Sequence, residues 1–333
     1  MRILVIRPGA LGDVLLTLPA LDALQSGFPQ ARIEAMGNVD VLQLLLGRSP
    51  VCAVSSFDRA DLASLFQPDA FPPASLKGYL DAFDLVLSYA TRPQHVFAAS
   101  LARSARGRVL SFDPRPPPGS RMHLSDYLQL PLRELGIAPS LEAPRLRLSV
   151  ADGEAAGQWW SAPALATQRA VAIHPGSGSP AKNWPAARFA EVARWLVQQH
   201  QLRVVLIAGP ADEGAVGALR RNLGEDEYLL AEGLPLPLLA GVLARCALYL
   251  GSDSGVSHLA AALGTPSVAV FGPTNPELWA PRGRCVRIVH TSAACAPCDD
   301  AVRRDCAHRI CLDSVSVAEV LQQIDITCAN GQP

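Results

Sequence analysis

Short apolar runs alternate with amphipathic segments along almost the whole chain. The runs predict strands near residues 3–7, 31–36, 51–57, 85–89, 108–111, 170–174, 203–208, 228–230, 247–250 and 267–271. Amphipathic stretches between them, such as 13–26 and 39–47, predict helices. This alternation is typical of parallel, doubly wound sheets. The pattern changes within residues 139–168, so we predict two α/β domains, 1–150 and 151–333.

Composition limits the class of protein. A chain of 333 residues exceeds the usual size of one domain. Its 49% hydrophobic and 18% charged residues are those of a folded globular protein, and a net charge of −1 gives no general attraction to nucleic acid. No apolar run reaches the roughly 18–20 residues of a spanning helix, and the N-terminal run is too short for a signal peptide. We therefore expect a cytoplasmic protein that does not bind nucleic acid.

The segment 251–281 holds a polar turn between an apolar strand and a helix of small residues. This arrangement directs backbone N–H groups and the positive helix end at an anion. Ser254 and Gly255 would supply hydroxyl and backbone donors, whereas Asp253 suits a sugar hydroxyl or a helix cap. His258, one turn later, suits a ligand contact and a packing role equally. From this segment alone, a ligand site and an ordinary helix cap are equally supported.

A second loop rich in glycine and hydroxyl groups follows the strand at 170–174. Ser177 and Ser179 precede Lys182, and an amphipathic helix begins near Pro185. Two hydroxyl-rich loops and one lysine suit a diphosphate. Neither the Gly-Lys-Ser/Thr phosphate loop nor the GxGxxG dinucleotide fingerprint is present. The predicted phosphate site is therefore of another kind, and an oxidoreductase lacks its fingerprint.

The N-terminal motif RPGALGDVLLTLPAL places Gly12 and Asp13 at the start of a helix, after a strand and a glycine loop. The positive end of a helix favours a charged, proton-accepting carboxylate. One positioned carboxylate is enough to deprotonate an attacking hydroxyl. Aspartate is also a common helix cap without chemistry. The residues alone leave both interpretations open.

These motifs, with HPGSGSPAKNWP and GSDSGVSHLAAALGTPSVAVFGPTNP, resemble glycosyltransferase family 9 in kind and order. Its members are ADP-heptose:lipopolysaccharide heptosyltransferases, and the resemblance covers nearly the whole chain. It implies the glycosyltransferase-B arrangement, with two Rossmann-like parallel-sheet domains facing across a cleft. The N-terminal domain would bind the acceptor and carry the catalytic aspartate, and the C-terminal domain would bind the nucleotide-sugar donor.

The implied activity is inverting transfer of L-glycero-D-manno-heptose from ADP-heptose to an anionic lipopolysaccharide inner-core acceptor, Kdo or heptose. The alternatives are another nucleotide-sugar, a protein acceptor, or a binding protein without turnover. A lipid-linked acceptor would require contact with the inner membrane, which the sequence neither shows nor forbids. No cofactor is required, because helix ends and a lysine can stabilise the leaving diphosphate.

The resemblance also implies roles for individual residues. Asp13 would be the general base. Either Asp212 or Glu213 would hold the adenosine ribose, and the sequence does not decide between them. The donor-binding set is Gly12, Ser177, Ser179, Lys182, Glu213, Asp253, Ser254, Gly255 and His258.

The acceptor side is marked by arginines. Residues 103–121 carry five arginines against one acid, and we interpret them as one basic loop. Guanidinium groups bind carboxylates and phosphates bidentately, as an anionic acceptor requires. An ordinary solvated surface explains any one of them equally well. The candidates for acceptor binding are Arg59, Arg92, Arg106 and Arg121.

Four of the eight cysteines lie within seventeen residues, in the spacing C-x2-C-x7-C-x4-C. Cys295, Cys298, Cys306 and Cys311 could close a tetrahedral, structural zinc or iron site. They could equally pack as reduced thiols in a structural loop. The spacing predicts that the four lie close together in either case.

Overall fold

The computed structural model of the protein describes residues 1–69, 71–161, 169–298, 302–303 and 306–330. The chain forms two compact units, Met1–Arg147 and Leu148–Pro333, and each is described by itself. Within the described residues, no helix combines the length and the apolar character needed to cross a membrane.

The first unit is built on a five-stranded parallel sheet with the order β3-β2-β1-β4-β5. Its strands are β1 (Arg2–Ile6), β2 (Arg32–Gly37), β3 (Val51–Ser56), β4 (Leu85–Ser88) and β5 (Arg108–Ser111). Its helices are α1 (Leu11–Leu15), α2 (Leu18–Gly27), α3 (Val39–Leu42), α4 (Ala74–Asp81), α5 (Val96–Ser104) and α6 (Leu124–Tyr127). Short 3-10 turns occupy Gln43–Leu45, Ala60–Phe66 and Leu130–Leu135.

The single helix predicted over 13–26 is two helices. α1 ends at Leu15, and α2 begins at Leu18 with Thr17 as its N-cap. Pro19 stands in the first turn of α2, where its missing N–H costs nothing, but the same residue could not continue an earlier helix. The break leaves α1 as a short helix that carries the predicted catalytic residue Asp13 in its first turn.

The second unit is built on a six-stranded parallel sheet with the order β11-β10-β9-β6-β7-β8. Its strands are β6 (Ala170–His174), β7 (Arg203–Ala208), β8 (Tyr228–Glu232), β9 (Leu248–Ser252), β10 (Ser267–Phe271) and β11 (Val286–His290). Its helices are α7 (Val150–Trp160), α8 (Ala186–His200), α9 (Glu213–Arg220), α10 (Leu236–Arg245), α11 (Gly255–Ala262), α12 (Pro276–Trp279), α13 (Ile310–Asp313) and α14 (Val317–Asn330). The 3-10 turns are Pro180–Lys182 and Glu225–Glu227. Both units are therefore α/β domains on parallel sheets, as predicted.

The core strands are apolar on both faces because helices cover both sides of each sheet. Residues 3–6 of β1 and all of β6 are buried. α7, the first helix of the second unit, packs on α10. A Cβ at Gly241 of α10 would lie 2.8 Å from Ala156 Cβ and 2.8 Å from the carbonyl oxygen of Asp152, so the two helices meet backbone to backbone there.

The strand order reverses between β6 and β9 in the second sheet and between β1 and β4 in the first. Ligands of such sheets bind at the carboxyl ends of the strands beside this reversal. In the second unit the loops that leave β6 and β9 are the two motifs singled out from the sequence. The topology thus brings residues about 80 positions apart to one edge of the sheet.

Candidate active site

Asp13 lies in the first turn of α1, and its carboxylate is held at both oxygens. Oδ2 accepts a hydrogen bond from the backbone N–H of Ala10 at 3.0 Å, and Oδ1 accepts one from Arg7 Nη2 at 3.1 Å. The side chain keeps 35% exposure. A Cβ at Gly9 would lie 2.8 Å from Asp13 Cβ, so glycine is needed for this close approach. Asp13 therefore caps the helix that also contains Gly12, and still presents its carboxylate outward.

Arg7 is a site residue that the sequence reasoning missed. Its side chain is 6% exposed, and Nε lies 3.2 Å from Thr17 Oγ1 and 3.3 Å from the carbonyl oxygen of Asp13. Burial lowers the pKa of the Arg7 guanidinium, and the negative charge of Asp13 opposes that shift. The available signal was a cation directly after the apolar run of residues 3–6. Arg7 fixes the direction of the Asp13 carboxylate from below.

In the second unit, the loops after β6 and β9 meet at an ion pair. Lys182 Nζ lies 3.2 Å from Asp253 Oδ2, and the two side chains are 18% and 8% exposed. The same Oδ2 is buried without a hydrogen bond of good geometry. The short distance establishes an ion pair whose carboxylate oxygen is shielded from solvent. The pair joins two of the predicted donor-binding residues.

The hydroxyl groups of the loop after β6 are placed differently from each other. Ser177 is 5% exposed, and its Oγ lies 2.7 Å from Asn183 Oδ1 and 2.6 Å from the carbonyl oxygen of Ser179. Ser179 is half-buried. Ser177 therefore holds the loop together from inside, and Ser179 is the hydroxyl nearer to solvent.

Ser254 is joined to a buried histidine and a buried aspartate. His174 Nδ1 lies 3.1 Å from Ser254 Oγ, and His174 Nε2 lies 2.9 Å from Asp212 Oδ2. Ser254 also caps α11, because its Oγ accepts the backbone N–H of Ser257. His174 is the last residue of β6, and the sequence reasoning passed over it. A histidine directly before the glycine loop was the signal for it.

Burial distinguishes Asp212 from Glu213 as candidates for holding the ribose. Asp212 is 6% exposed, and Oδ2 also accepts the N–H of Gly209 at 2.8 Å. Burial acts to raise the pKa of Asp212, but the hydrogen bond and charge of His174 with the Gly209 N–H outweigh it and hold the pKa below its ordinary value. Glu213 opens α9 with an exposed side chain. The Asp212 carboxylate thus makes its hydrogen bonds inside the unit, whereas the Glu213 side chain faces solvent.

The remaining two donor candidates belong to α11. Gly255 is its first residue, directly after the Ser254 cap. His258 lies one turn further on, is 7% exposed, and donates its backbone N–H to the carbonyl oxygen of Ser254. Both therefore lie at the N-terminal end of α11, beside the Lys182–Asp253 pair.

Two of the predicted acceptor arginines already have carboxylate partners. Arg59 binds Asp61 bidentately, with Nε–Oδ1 at 2.9 Å and Nη2–Oδ2 at 2.6 Å. Arg92 Nε lies 3.2 Å from Asp113 Oδ2. Their charges are therefore balanced within the first unit, which reduces their attraction for an anion.

Residues 103–121 do not form one basic loop, contrary to our interpretation. β5 divides them into a part before the strand and a part after it. The two ends of β5 lie at opposite edges of the parallel sheet. Arg106 precedes β5, and its backbone N–H donates to Asp81 Oδ1 at 3.1 Å. Asp13 follows the carboxyl end of β1, so Arg106 lies at the edge opposite to Asp13. Arg121 lies beyond β5, in the loop before α6.

The four cysteines line one cavity of about 140 Å³ together with Pro273 and Arg309. Burial raises the pKa of the Cys311 thiol, and the other three cysteines add to the shift. All four are free thiols. Among the described residues, however, no three metal-ligating side chains are close enough to share an ion. The predicted proximity is present, and the geometry of a metal site is not.

The cysteine segment is tied to the loops of the candidate donor site. The backbone N–H of Cys298 donates to the carbonyl oxygen of Pro273 at 2.8 Å, in the loop after β10. Arg309 Nη2 donates to the carbonyl oxygen of Asn183, next to Lys182. The segment thus contacts the loop after β10 and the loop after β6, and the latter carries Lys182 of the ion pair.

Comparison with known proteins places this geometry in a family. Residues 79–307 match the model of glycosyltransferase family 9 (heptosyltransferase). Lipopolysaccharide heptosyltransferase 2 of Salmonella typhimurium (strain LT2) is 27% identical over 314 residues, covering 87% of this chain and 88% of its own.

Solved structures show the same fold. The ADP-heptose lps heptosyltransferase II of Escherichia coli has a TM-score of 0.77 at 21% identity, over 99% of both chains. The iron-containing dodecameric glycosyltransferase TibC of enterotoxigenic E. coli has a TM-score of 0.61 at 20% identity, over 98% of this chain and 75% of its own. The predicted glycosyltransferase-B fold class and the resemblance carried by the three motifs are confirmed. The chain belongs to glycosyltransferase family 9 and is a glycosyltransferase.

Proposed function

We propose that this enzyme transfers L-glycero-D-manno-heptose from ADP-heptose to an anionic acceptor in the lipopolysaccharide inner core, Kdo or heptose. The relative and the E. coli structure are named for lipopolysaccharide and for ADP-heptose, which supports the substrate class. The observation that carries the proposal is the loop pair at the strand-order reversal. There Lys182, Ser254 and the N-terminus of α11 converge as a diphosphate requires.

On the donor side, Lys182 and the backbone N–H groups at the start of α11 would bind the diphosphate and stabilise its charge as it leaves. The Asp253 carboxylate beside Lys182 would accept a sugar hydroxyl. Glu213, exposed at the start of α9, would hold the adenosine ribose. Ser179, Gly255 and His258 complete the proposed set in the second unit, and Gly12 is the donor-binding residue proposed in the first unit. Ser177 contributes by holding its loop together.

On the acceptor side, Asp13 would take the proton of the attacking hydroxyl as its oxygen bonds to the anomeric carbon. The bond from that carbon to the diphosphate breaks, ADP leaves, and single displacement inverts the anomeric configuration. Arg7 and the Ala10 N–H hold the carboxylate in place, so little reorganisation is needed. Arg121 lies in the loop beyond β5, where it could meet an anionic acceptor. Arg59 and Arg92 would first have to exchange their carboxylate partners.

The proposed place of action is the cytoplasm, with peripheral contact at the inner membrane where a lipid-linked acceptor is presented. Another nucleotide-sugar or a protein acceptor is the alternative. The same donor site would serve both, so acceptor assays distinguish them.

A thermal-shift panel of ADP, UDP, GDP and their sugars tests the donor. At about 100 times Kd a ligand of the native state stabilises it by about 2.7 kcal/mol, so the adenine compounds should stand apart. UDP or GDP compounds raising Tm instead would contradict the donor assignment. Replacing Asp13 by Asn should lower kcat by about 10²–10⁴ while ADP affinity is kept. Near-normal turnover of that variant would end the role of Asp13 as base.

We further propose that the transfer itself uses no metal, and that the cysteine loop is structural. The donor set of Cys295, Cys298, Cys306 and Cys311 has the chemistry of a soft-metal site, and the similar TibC structure is described as iron-containing. The described side chains do not stand at ligand geometry, so we favour packed thiols. Elemental analysis of untagged protein decides the point. A full equivalent of zinc or iron would show a structural metal if a chelator removed it and lowered Tm at the same time.

A further inference from the structure

The hydroxyl group of Ser254 lies at the end of a buried chain of hydrogen bonds. His174, Asp212 and Ser254 are 2%, 6% and 6% exposed. His174 bridges the other two, at 2.9 Å to Asp212 Oδ2 and 3.1 Å to Ser254 Oγ. Strands β9, β6 and β7 are neighbours in the sheet. The row of hydrogen bonds therefore crosses the strand-order reversal at which the proposed donor site lies.

The direction of these hydrogen bonds follows from their chemistry. An ionised Asp212 can only accept, so His174 Nε2 carries a proton. A neutral imidazole then has a lone pair at Nδ1, which accepts the hydroxyl proton of Ser254. The other acceptor beside it is the Ser257 hydroxyl oxygen at 3.3 Å, which donates its own proton to the carbonyl oxygen of Ser252 at 2.6 Å, so His174 Nδ1 at 3.1 Å is the nearer acceptor. With neutral His174, Ser254 therefore directs its proton inward, away from any phosphate.

Protonation at Nδ1 reverses the last hydrogen bond. Nδ1–H then donates to Ser254 Oγ, and the hydroxyl proton of Ser254 becomes available to a phosphate oxygen. The buried carboxylate of Asp212 balances the imidazolium charge that results.

Charge makes this state favourable when a diphosphate binds. The charged groups on the loops around His174 are Asp212, Asp253 and Lys182, with a net charge of −1. Tyr249 on β9 stays neutral, because burial raises its pKa above the ordinary value. A diphosphate adds negative charge to this surface, and one proton taken from solvent offsets part of it. Glu213 at the start of α9 and His258 on α11 are further titratable side chains on the elements around His174.

Resting on the proposed function, we propose that His174 takes up a proton from solvent when the donor's diphosphate binds, and so turns the Ser254 hydroxyl toward a phosphate oxygen. His174 is thus a positioning residue that acts through Ser254. Its partner Asp212 keeps Nε2 protonated and the imidazole ring in its orientation. Because a proton is bound together with the ligand, donor affinity should fall as pH rises, by at most about tenfold per pH unit.

Calorimetric titration of ADP-heptose without acceptor tests this proposal. A diphosphate diester has no proton to lose near neutral pH, so uptake measured in buffers of different ionisation enthalpy belongs to the protein. At pH 7.5 we expect a fraction of one proton, up to about one, taken up per ligand bound. Adenosine, which lacks the diphosphate, should bind with no uptake.

Two variants test which residue takes up the proton. His174→Gln keeps a donor toward Asp212 but cannot titrate, so uptake should vanish and ADP-heptose should bind more weakly, with adenosine unaffected. Asp212→Asn should reduce the uptake and serves if the first variant does not fold. His200→Gln is the matched control, because His200 forms a surface pair with Asp325 at 3.9 Å on α8 and α14.

The outcomes separate this proposal from the function on which it rests. If ADP-heptose does not bind the wild type, the proposed function fails and the proton linkage fails with it. If ADP-heptose binds without proton uptake, or with the same uptake in His174→Gln, His174 has no part in turning Ser254. Equal loss of adenosine and ADP-heptose affinity in both variants would show only a structural role.

Discussion

Replacing Gly176 by alanine should break the buried hydrogen bond between His174 and Asp212, although Gly176 itself takes no part in that bond. A Cβ at Gly176 would lie 1.9 Å from Asp212 Oδ1 and 2.5 Å from its Cγ. Real Cβ contacts below 3.0 Å essentially never occur, so the carboxylate must move by about 1 Å or more. The hydrogen bonds of Asp212 to His174 and to the Gly209 N–H, 2.9 and 2.8 Å long, cannot both survive that movement.

The magnitude follows from the two hydrogen bonds. Each involves a charged group and is worth about 1.5–3 kcal/mol, so loss of both should lower the free energy of unfolding by about 3–6 kcal/mol. For a unit of this size, about 2–4 °C of Tm accompanies each kcal/mol, which gives a decrease of roughly 6–24 °C. Differential scanning calorimetry measures it directly.

The same loop offers a matched control. A Cβ at Gly178 meets nothing within 4 Å, and its backbone is not in the left-handed region. Gly178→Ala should therefore change the free energy of unfolding by less than about 1 kcal/mol, in either direction. If Gly176→Ala melts within about 2 °C of Gly178→Ala, the close packing of Gly176 on Asp212 does not hold in solution.

Three further predictions concern single side chains. Gly9→Ala should displace the Asp13 carboxylate and lower kcat by about 10–100-fold without changing the Kd for ADP; an unchanged kcat would contradict the contact. Lys182→Met should weaken ADP binding by about 1.5–3 kcal/mol in calorimetry and also lower Tm, because Asp253 loses its partner; full ADP affinity would move the diphosphate elsewhere. Folding lowers the pKa of Asp212, so the stability that its ionised carboxylate contributes is complete above about pH 4 and is lost as pH falls through the folded pKa. Asp212→Asn should therefore flatten the dependence of Tm on pH in the acid range. An acid profile of Tm identical to that of the wild type would refute this linkage.

Most of the fold could be predicted because periodicity and turn residues are local signals. The strands at 108–111, 170–174, 203–208 and 267–271 have the predicted bounds. The strand that was missed, β11, alternates charged and apolar residues, and its side chains are mostly half-buried at the edge of the sheet. Such a strand is defined by its pairing with β10, which no local pattern shows.

The candidate site could be predicted as a set of loops but not as a network. Asp13, Lys182 and Asp253 lie in recognisable turns, whereas the partners Arg7 and His174 read as the last residues of strands. The pairing of His174 with Asp212 spans 38 positions and depends on β6 and β7 being neighbours. The arginine interpretation failed for a similar reason, because a linear count of charges ignores that a strand carries its two ends to opposite edges.

The packing of α7 on α10 decides where the second half of the chain begins as a folding unit. Gly241 lets the backbone of α7 approach α10 so closely that α7 covers part of its buried surface. The helix directly after the unit boundary therefore belongs to the later core, although it comes before every strand of that sheet. A truncation that starts at β6 would uncover α10, and one that starts at Leu148 would carry its own cover. The boundary between the two compact units thus depends on a glycine almost a hundred residues downstream of it.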